Sequence, residues 1–182
     1  MFNKLFFACT LLVSSFNYCA EPFNYKLPAE KESVTAALIV FADGHPNPYT
    51  RATARYLSTM GSIFTPNSTL EETLASHLNL YADGAVKDAN STTHPLCGKK
   101  AIETQLRGSF AKLGGVTLAR LKQLGAIEGQ STTVVSFDWD SEHIGNLTTF
   151  AQLDFIPSVH NQLPLITRIT ETYAPRDKNP VH

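Results

Sequence analysis

The chain has 182 residues, 43% hydrophobic and 17% charged, with a formal net charge of −1. That is enough apolar material for one domain with its own core, and too much for a disordered chain. No long basic run is present, so the concentrated Lys/Arg surface that phosphate binding needs is missing, and nucleic acid is excluded as the main partner.

The first twenty residues, "MFNKLFFACTLLVSSFNYCA", stand apart. One cation, Lys4, precedes the apolar run Leu5–Val13, small and polar residues follow, and there is no acid. That layout predicts a secretory signal peptide over residues 1–20, cut after Ala20, with Tyr18 as the one ill-fitting residue near the cut. An uncleaved anchor and lipidation at Cys19 are the other readings. The apolar run is short for a hydrocarbon core of ~30 Å. The mature protein is therefore expected to be exported, periplasmic or secreted, and off the membrane once the signal is cleaved.

Loss of Lys4 leaves 14 Lys+Arg against 16 Asp+Glu, and loss of Cys9 and Cys19 leaves Cys97 alone. An intramolecular disulfide is then impossible, so the domain must stand on its core. Cys97 reads as a small residue beside the Gly98 turn. Three sequons, at Asn67, Asn90 and Asn146, are possible glycan sites in a eukaryotic pathway. The short signal and small domain favour a bacterial source.

Residues 21–48 form a polar lead-in and an extra helix, Ser33–Gly44, capped by Ser33 and stopped by Gly44 with the prolines at 46 and 48. The helical spacing of Tyr49, Ala52, Tyr56, Leu57 and Met60 predicts a second helix over 49–61. Ser68 and Glu71 form an S-x-x-E capping box, and Leu70, Leu74, Leu78 and Tyr81 make one apolar stripe of a third helix, ended by Ala82-Asp83-Gly84. "AVKD" reads as a short strand with Val86 and Asp88 on one face. After the loop 90–95, a fourth helix opens at Gly98, carries Ile102, Leu106, Phe110 and Leu113, and ends at Gly114-Gly115. Strands are predicted over 116–127, 132–140, 147–156 and 163–173, joined as consecutive hairpins. The tail, 175–182, reads as flexible. Helices followed by antiparallel strands make the fold α+β, a curved antiparallel sheet wrapped around N-terminal helices.

The order of "LYADGAVKDA", a short loop, "GKKAIE" opening a helix, and four strands ending in "TRITETY" resembles the nuclear-transport-factor-2-like superfamily, with its ketosteroid isomerases, scytalone dehydratase and SnoaL-like polyketide cyclases. The resemblance covers about residues 50–174, within a SnoaL-like cone domain placed at 49–174. It implies a cystatin-like cone with a pocket between a bent sheet and a long helix. In ketosteroid-isomerase-like members the aspartate closing the first strand is the general base, and "VKD" puts Asp88 there. The tyrosine that such enzymes carry on the first helix corresponds to Tyr56 in "RYLSTM". Their second acid, in the third strand of the meander, falls at Gln152, with Asp154 two residues on. An amide there donates more weakly than a protonated acid, and the usual Pro after the base is Ala89. Steroid isomerisation is therefore not expected, and other pocket chemistry stays open.

On the residues themselves, Asp88 is either a desolvated base or a cap of the following loop. Tyr56 is a donor to substrate or a packing tyrosine. On strand 147–156 either Gln152 and Asp154 line the pocket and the apolar face meets a partner, or the reverse; the first is favoured. Glu171 shares an apolar face with Leu165, Thr167, Ile169 and Tyr173 and is a candidate pocket group. His94 lies in the loop at the presumed mouth, and Trp139 is a pocket wall or dimer contact. No His/Cys/Asp/Glu grouping has metal-ligand spacing and no phosphate loop occurs, so neither metal nor cofactor is expected. Two functions follow. One is an exported cone binding a small apolar molecule, with isomerase-, dehydratase- or cyclase-like acid–base chemistry by Asp88 and Tyr56. The other is a non-catalytic dimerisation or protein-binding module of the same fold. A homodimer through the open sheet face is implied by the resemblance.

Overall fold

The computed structural model of the protein describes residues 34–63, 70–113, 116–141, 143, 145–157 and 162–175. The signal peptide, the lead-in through Ser33, Asn67, Ser68 of the capping box, Gly114-Gly115, His160 and the tail beyond Pro175 lie outside the described residues.

Helix α1 spans Val34–Gly44 and α2 spans Pro48–Ile63. Asn47 starts α2, accepting at Oδ1 from the backbone N–H of Tyr49 at 2.9 Å and of Thr50 at 3.1 Å. Pro48 fills the first helical position, where no N–H is needed. The Asn-Pro pair three residues beyond the end of α1 therefore nucleates α2. Asp43 and Arg55 tie the two helices at 2.7 Å. At Gly61 they come so close that an added Cβ would lie 2.7 Å from Thr35 Oγ1. Helices α3 (Leu70–Leu78) and α4 (Lys99–Leu113) complete the set.

The strands are β1 (Tyr81–Ala89), β2 (Leu96–Cys97), β3 (Val116–Ala126), β4 (Thr132–Ser141), β5 (Gly145–Ile156) and β6 (Leu165–Pro175). They form one curved, open sheet in the order β2-β1-β6-β5-β4-β3. The meander β3–β6 is antiparallel throughout, in line with the predicted hairpins. One pair departs from the antiparallel expectation: β1 runs parallel to β6. This is allowed because α4 and four strands intervene in the chain, the long connection that parallel neighbours need.

Two local readings are corrected. Tyr81 belongs to β1, not to the stripe of α3: it pairs with Ile166, whose N–H donates to Leu80 O at 2.8 Å. A ladder bond and a buried aromatic outweigh one more helical turn. The loop after Ala89 also contains β2, which pairs with Val86 and Lys87 before Gly98 turns the chain at φ 83°.

The helix-facing side of the sheet buries Tyr81, Ala85, Lys87 and Ala89 of β1, Ala151, Leu153 and Phe155 of β5, and Val135, Phe137 and Trp139 of β4. On β6 both Ile166 and Ile169 are buried, although strict alternation would part them. The register explains it: Asp154 faces Arg168 but Phe155 faces Ile166, a bulge that skips Thr167. Past this bulge Glu171 stays on the inner face. Against the inner face pack Ala52, Tyr56, Leu57 and Met60 of α2, Leu74 of α3, and Ile102 and Leu106 of α4.

Candidate functional site

Where the inner faces of β1 and β6 meet α2, the core is polar. The side chains of Lys87 and Glu171 are each 1% exposed, with Lys87 Nζ 3.0 Å from Glu171 Oε2. Tyr56 donates to Glu171 Oε1 at 2.6 Å, and Tyr173 donates to Glu171 Oε2. Each position follows from the strands. Lys87 alternates inward with Ala85 and Ala89, Glu171 pairs across the parallel ladder with Ala89, and Tyr173 follows Glu171 by two residues on the same face. Tyr56 reaches in from the middle of α2 and is fully buried.

Burial alone would push the Glu171 carboxyl up. The Lys87 ammonium, with donation from Tyr173, Tyr56 and Lys87 itself, outweighs burial and holds it below the usual carboxylate range. Burial, and then the Glu171 charge, raise both Tyr56 and Tyr173 well above the ordinary phenol range. The cluster is thus a buried ion pair fixed by two neutral phenols, with no net charge.

A second buried chain of hydrogen bonds adjoins it. His77 Nδ1 lies 2.7 Å from Thr59 Oγ1, and His77 Nε2 lies 3.1 Å from Tyr81 Oη. The His77 ring stacks at a tilt on Tyr56, centroids 5.1 Å apart. Burial and the nearby Lys87 charge lower the imidazole to a pKa of about 3, so it is neutral at ordinary pH.

The structure brings Tyr56 and Glu171 together, and adds Lys87, Tyr173, His77 and Tyr81, which the sequence reading passed over as site residues. The expectation that Asp88 faces the pocket is corrected: its neighbours Lys87 and Ala89 point inward and are buried, which turns half-buried Asp88 to the opposite face. Gln152 and Asp154 also turn away from the interior, against the favoured reading. Burying Ala151, Leu153 and Phe155 fixes that strand's register, and with a period of two the polar pair must point outward. There Asp154 accepts from Thr132 at 2.9 Å and from Gln152 at 3.1 Å. His94 is exposed in the loop after β1. Trp139 is buried in the core, edge-on to Phe137 with centroids 5.1 Å apart. Among the described residues no group of three His, Cys, Asp or Glu side chains could hold a metal, and no helix is long and apolar enough to cross a membrane.

One signal for Lys87 was available. "AVKDA" alternates Ala85, Lys87 and Ala89 against Val86 and Asp88. Small residues flanking a lysine on one face leave room for its stem, and an acid at 171 offered the counter-charge.

No protein-family model matches this sequence, and no curated protein matches it significantly. Solved structures do match in fold. An NTF2-like protein from Anabaena variabilis superposes with a TM-score of 0.57 at 11% identity, over 72% of this chain and 94% of that one. An NTF-2 like protein of unknown function from Pseudomonas aeruginosa gives 0.58 at 11%, over 70% and 99%. A Shewanella denitrificans protein, provisionally assigned as a SnoaL-like polyketide cyclase, gives 0.53 at 10%, over 71% and 92%. At such identities the likeness speaks for the fold alone. The chain has the NTF2-like cone fold.

Proposed function

We propose that this protein is an exported cone that binds a small apolar molecule carrying a carbonyl oxygen, and that Lys87, Glu171, Tyr56 and Tyr173 act on it by acid–base chemistry of the isomerase, dehydratase or cyclase kind. The observation behind this reading is the coordination of Lys87. Its ammonium has three N–H donors, yet among the described residues Glu171 alone pairs with it. The remaining donors suit an incoming oxygen.

The charges suit enolisation. When Glu171 takes a proton from the carbon beside the carbonyl, its negative charge disappears, and a new one develops on the oxygen held by Lys87. The charge moves from one side of a fixed ammonium to the other, and the cluster stays neutral, so little reorganisation is required. Glu171 is held too acidic to be a strong base while three groups donate to it. Tyr173 is the least buried of the three donors to Glu171. Transfer of its hydroxyl from Glu171 to the ligand would restore basicity to the carboxylate.

The test is solvent deuterium exchange. A panel of cyclic and aryl ketones is incubated with the protein in D2O, and label at the carbon beside the carbonyl is read by NMR. Exchange in the wild type, lost in Lys87→Met and in Glu171→Gln and kept in Asp88→Asn, is the expected pattern. No ligand-induced shift and no exchange would remove the reading, as would a fully active Lys87→Met protein.

A second reading, a homodimeric binding module, is favoured by the outer sheet face. There Phe150 is 54% and Ile156 45% exposed, on the same strand and the same side.

A further inference from the structure

In a strand the N–H and C=O of one residue point to the same edge. Those of Tyr173 point toward β1, as does Glu171 O, which accepts from the Asn90 N–H at 3.1 Å. β5, on the other edge, cannot meet them, and β1 ends at Ala89, short of Tyr173. The Asn90 side chain fills the gap. The Tyr173 N–H donates to Asn90 Oδ1 at 2.9 Å, and Asn90 Nδ2 donates to Tyr173 O at 3.0 Å.

A carboxamide carries the donor and the acceptor of a peptide group. It stands in for the strand residue that the turning chain no longer supplies. Aspartate could meet only one of the two groups, and alanine neither. The turn that holds Asn90 in place comes from the same tripeptide: Thr92 donates to Ala89 O from its N–H at 3.0 Å and from its hydroxyl at 2.9 Å. Asn90-Ser91-Thr92, by pattern a possible glycan acceptor, thus has both of its defining side chains engaged within the fold.

This bracket fixes the end of β6 that serves the site. Tyr173 lies close to the last residue of the strand, Pro175, and its hydroxyl donates to Glu171 Oε2. Its backbone is flanked by Thr149 of β5 on one side and gripped by Asn90 on the other.

We infer that Asn90 is a positioning residue of the site: by holding the Tyr173 backbone it keeps the phenol on the Glu171 carboxylate, and leaves only the side chain free to turn when a ligand takes that hydroxyl. The second half of this role rests on the acid–base reading above, and the first does not.

The phenol protons report the first half without any ligand. Hydroxyls bonded to a buried carboxylate exchange slowly with water and should give downfield proton NMR signals at neutral pH. Tyr56→Phe and Tyr173→Phe assign the two signals. In Asn90→Ala the Tyr173 proton should exchange about tenfold faster, the effect of losing two backbone bonds, with the Tyr56 proton unchanged. Asn90→Asp, which keeps the acceptor and loses the donor, should fall between, and it gives the comparison if the alanine variant does not fold. Gly61→Ala, whose Cβ meets Thr35 and not this site, should move neither signal. The second half is read from acetophenone exchange in D2O: kcat should fall about tenfold in Asn90→Ala with KM unchanged, since a misplaced donor slows the step and not the binding.

If the Tyr173 proton of the Asn90 variants exchanges as in the wild type, or both phenol protons quicken together, Asn90 is only a strand-end tie and the inference falls. It falls too if the wild type shows no Tyr173 signal. A changed Tyr173 signal with unchanged kcat overturns the second half. If the proton pattern is as expected but the wild type exchanges no label into the ketone, the hold on Tyr173 stands and the acid–base reading falls alone.

Discussion

The Tyr56 hydroxyl donates to Glu171 Oε1 at 2.6 Å, joining residues 115 positions apart in the chain. It is the bond by which the central helix grips the last strand. Beneath it Lys87 brings the charge that makes a buried carboxylate tolerable. Three elements far apart in sequence thus meet at one oxygen-rich point. None of them could hold an ion there alone.

That interdependence gives the first prediction. Lys87→Met leaves Glu171 buried without its counter-ion, and Glu171→Gln leaves Lys87 likewise. Each should cost about 3–5 kcal/mol of unfolding free energy. The double variant removes both charges, and its glutamine still accepts from Tyr56. It should cost clearly less than the two singles summed, with a coupling above ~1 kcal/mol. Urea denaturation at neutral pH measures all three. Additive effects would mean that the pair is not a unit.

The second prediction concerns pH. His77 has a pKa of about 3 in the folded protein, because it is buried and lies near Lys87. In the unfolded chain it takes the ordinary value near 6.5. Between those values the unfolded state binds more protons, so stability rises with pH there and is fully present above about 6.5. One proton gives a slope approaching ~1.4 kcal/mol per pH unit. Glu171, held low, adds its own loss only at more acidic pH, as the pH falls through its folded value. His77→Gln should flatten the profile between pH 5 and 6.5, although it lowers stability at pH 7. Denaturant midpoints in that window decide it; an unchanged slope in the variant would assign the pH dependence elsewhere.

Fold and site differ in how far they can be read from sequence. Periodicity was enough for the helices and the meander, because Leu74, Ile102 and Leu106, and the alternation on β5, are repeated local signals. The site turns on single decisions of strand phase. Asp88 and Lys87 are adjacent, and one residue of phase exchanges them. The likeness to isomerases favoured the aspartate, whereas tertiary packing places the lysine inside, opposite a glutamate whose inward position depends on a bulge at Thr167. Neither the bulge nor the parallel pairing of β1 with β6 leaves a mark in local hydrophobicity. His77, one residue before Leu78 of the apolar stripe, reads as a flank or as a satisfied core histidine, and it is the second, buried with both ring nitrogens partnered. Its imidazole and the Tyr81 phenol meet at 3.1 Å.

The third prediction tests how α1 is seated. Gly61 in α2 faces Thr35, and a Cβ there would come within 2.7 Å of Thr35 Oγ1. Alanine in mid-helix is ordinarily about 1 kcal/mol better than glycine. Gly61→Ala should nevertheless destabilise, by roughly 1–3 kcal/mol, since α1 must shift or Thr35 must leave its rotamer. With Thr35→Ala added, the obstruction is gone and the helix gain should appear, giving stability at or above the wild type. If Gly61→Ala alone stabilises, α1 is not held against α2 at this point.

The last prediction concerns the outer face. Phe150 and Ile156 are large, apolar and about half exposed, in a region where β6 presents Arg168, Thr170 and Thr172. Exposed apolar side chains of this size on an open sheet face are candidates for burial by a partner. Two copies meeting through this face would bury both residues, and the two-fold symmetry would double each contact. Light scattering after size exclusion should then report a dimer at micromolar concentration. Phe150→Glu should weaken it by roughly thirtyfold or more, as expected for an aromatic at the centre of an interface. The same variant should leave ketone exchange per chain unchanged, because Phe150 lies on the opposite side of the sheet from Lys87 and Glu171. A wild-type monomer at these concentrations would remove the dimer. A variant that loses exchange together with dimerisation would instead tie the cone's chemistry to assembly.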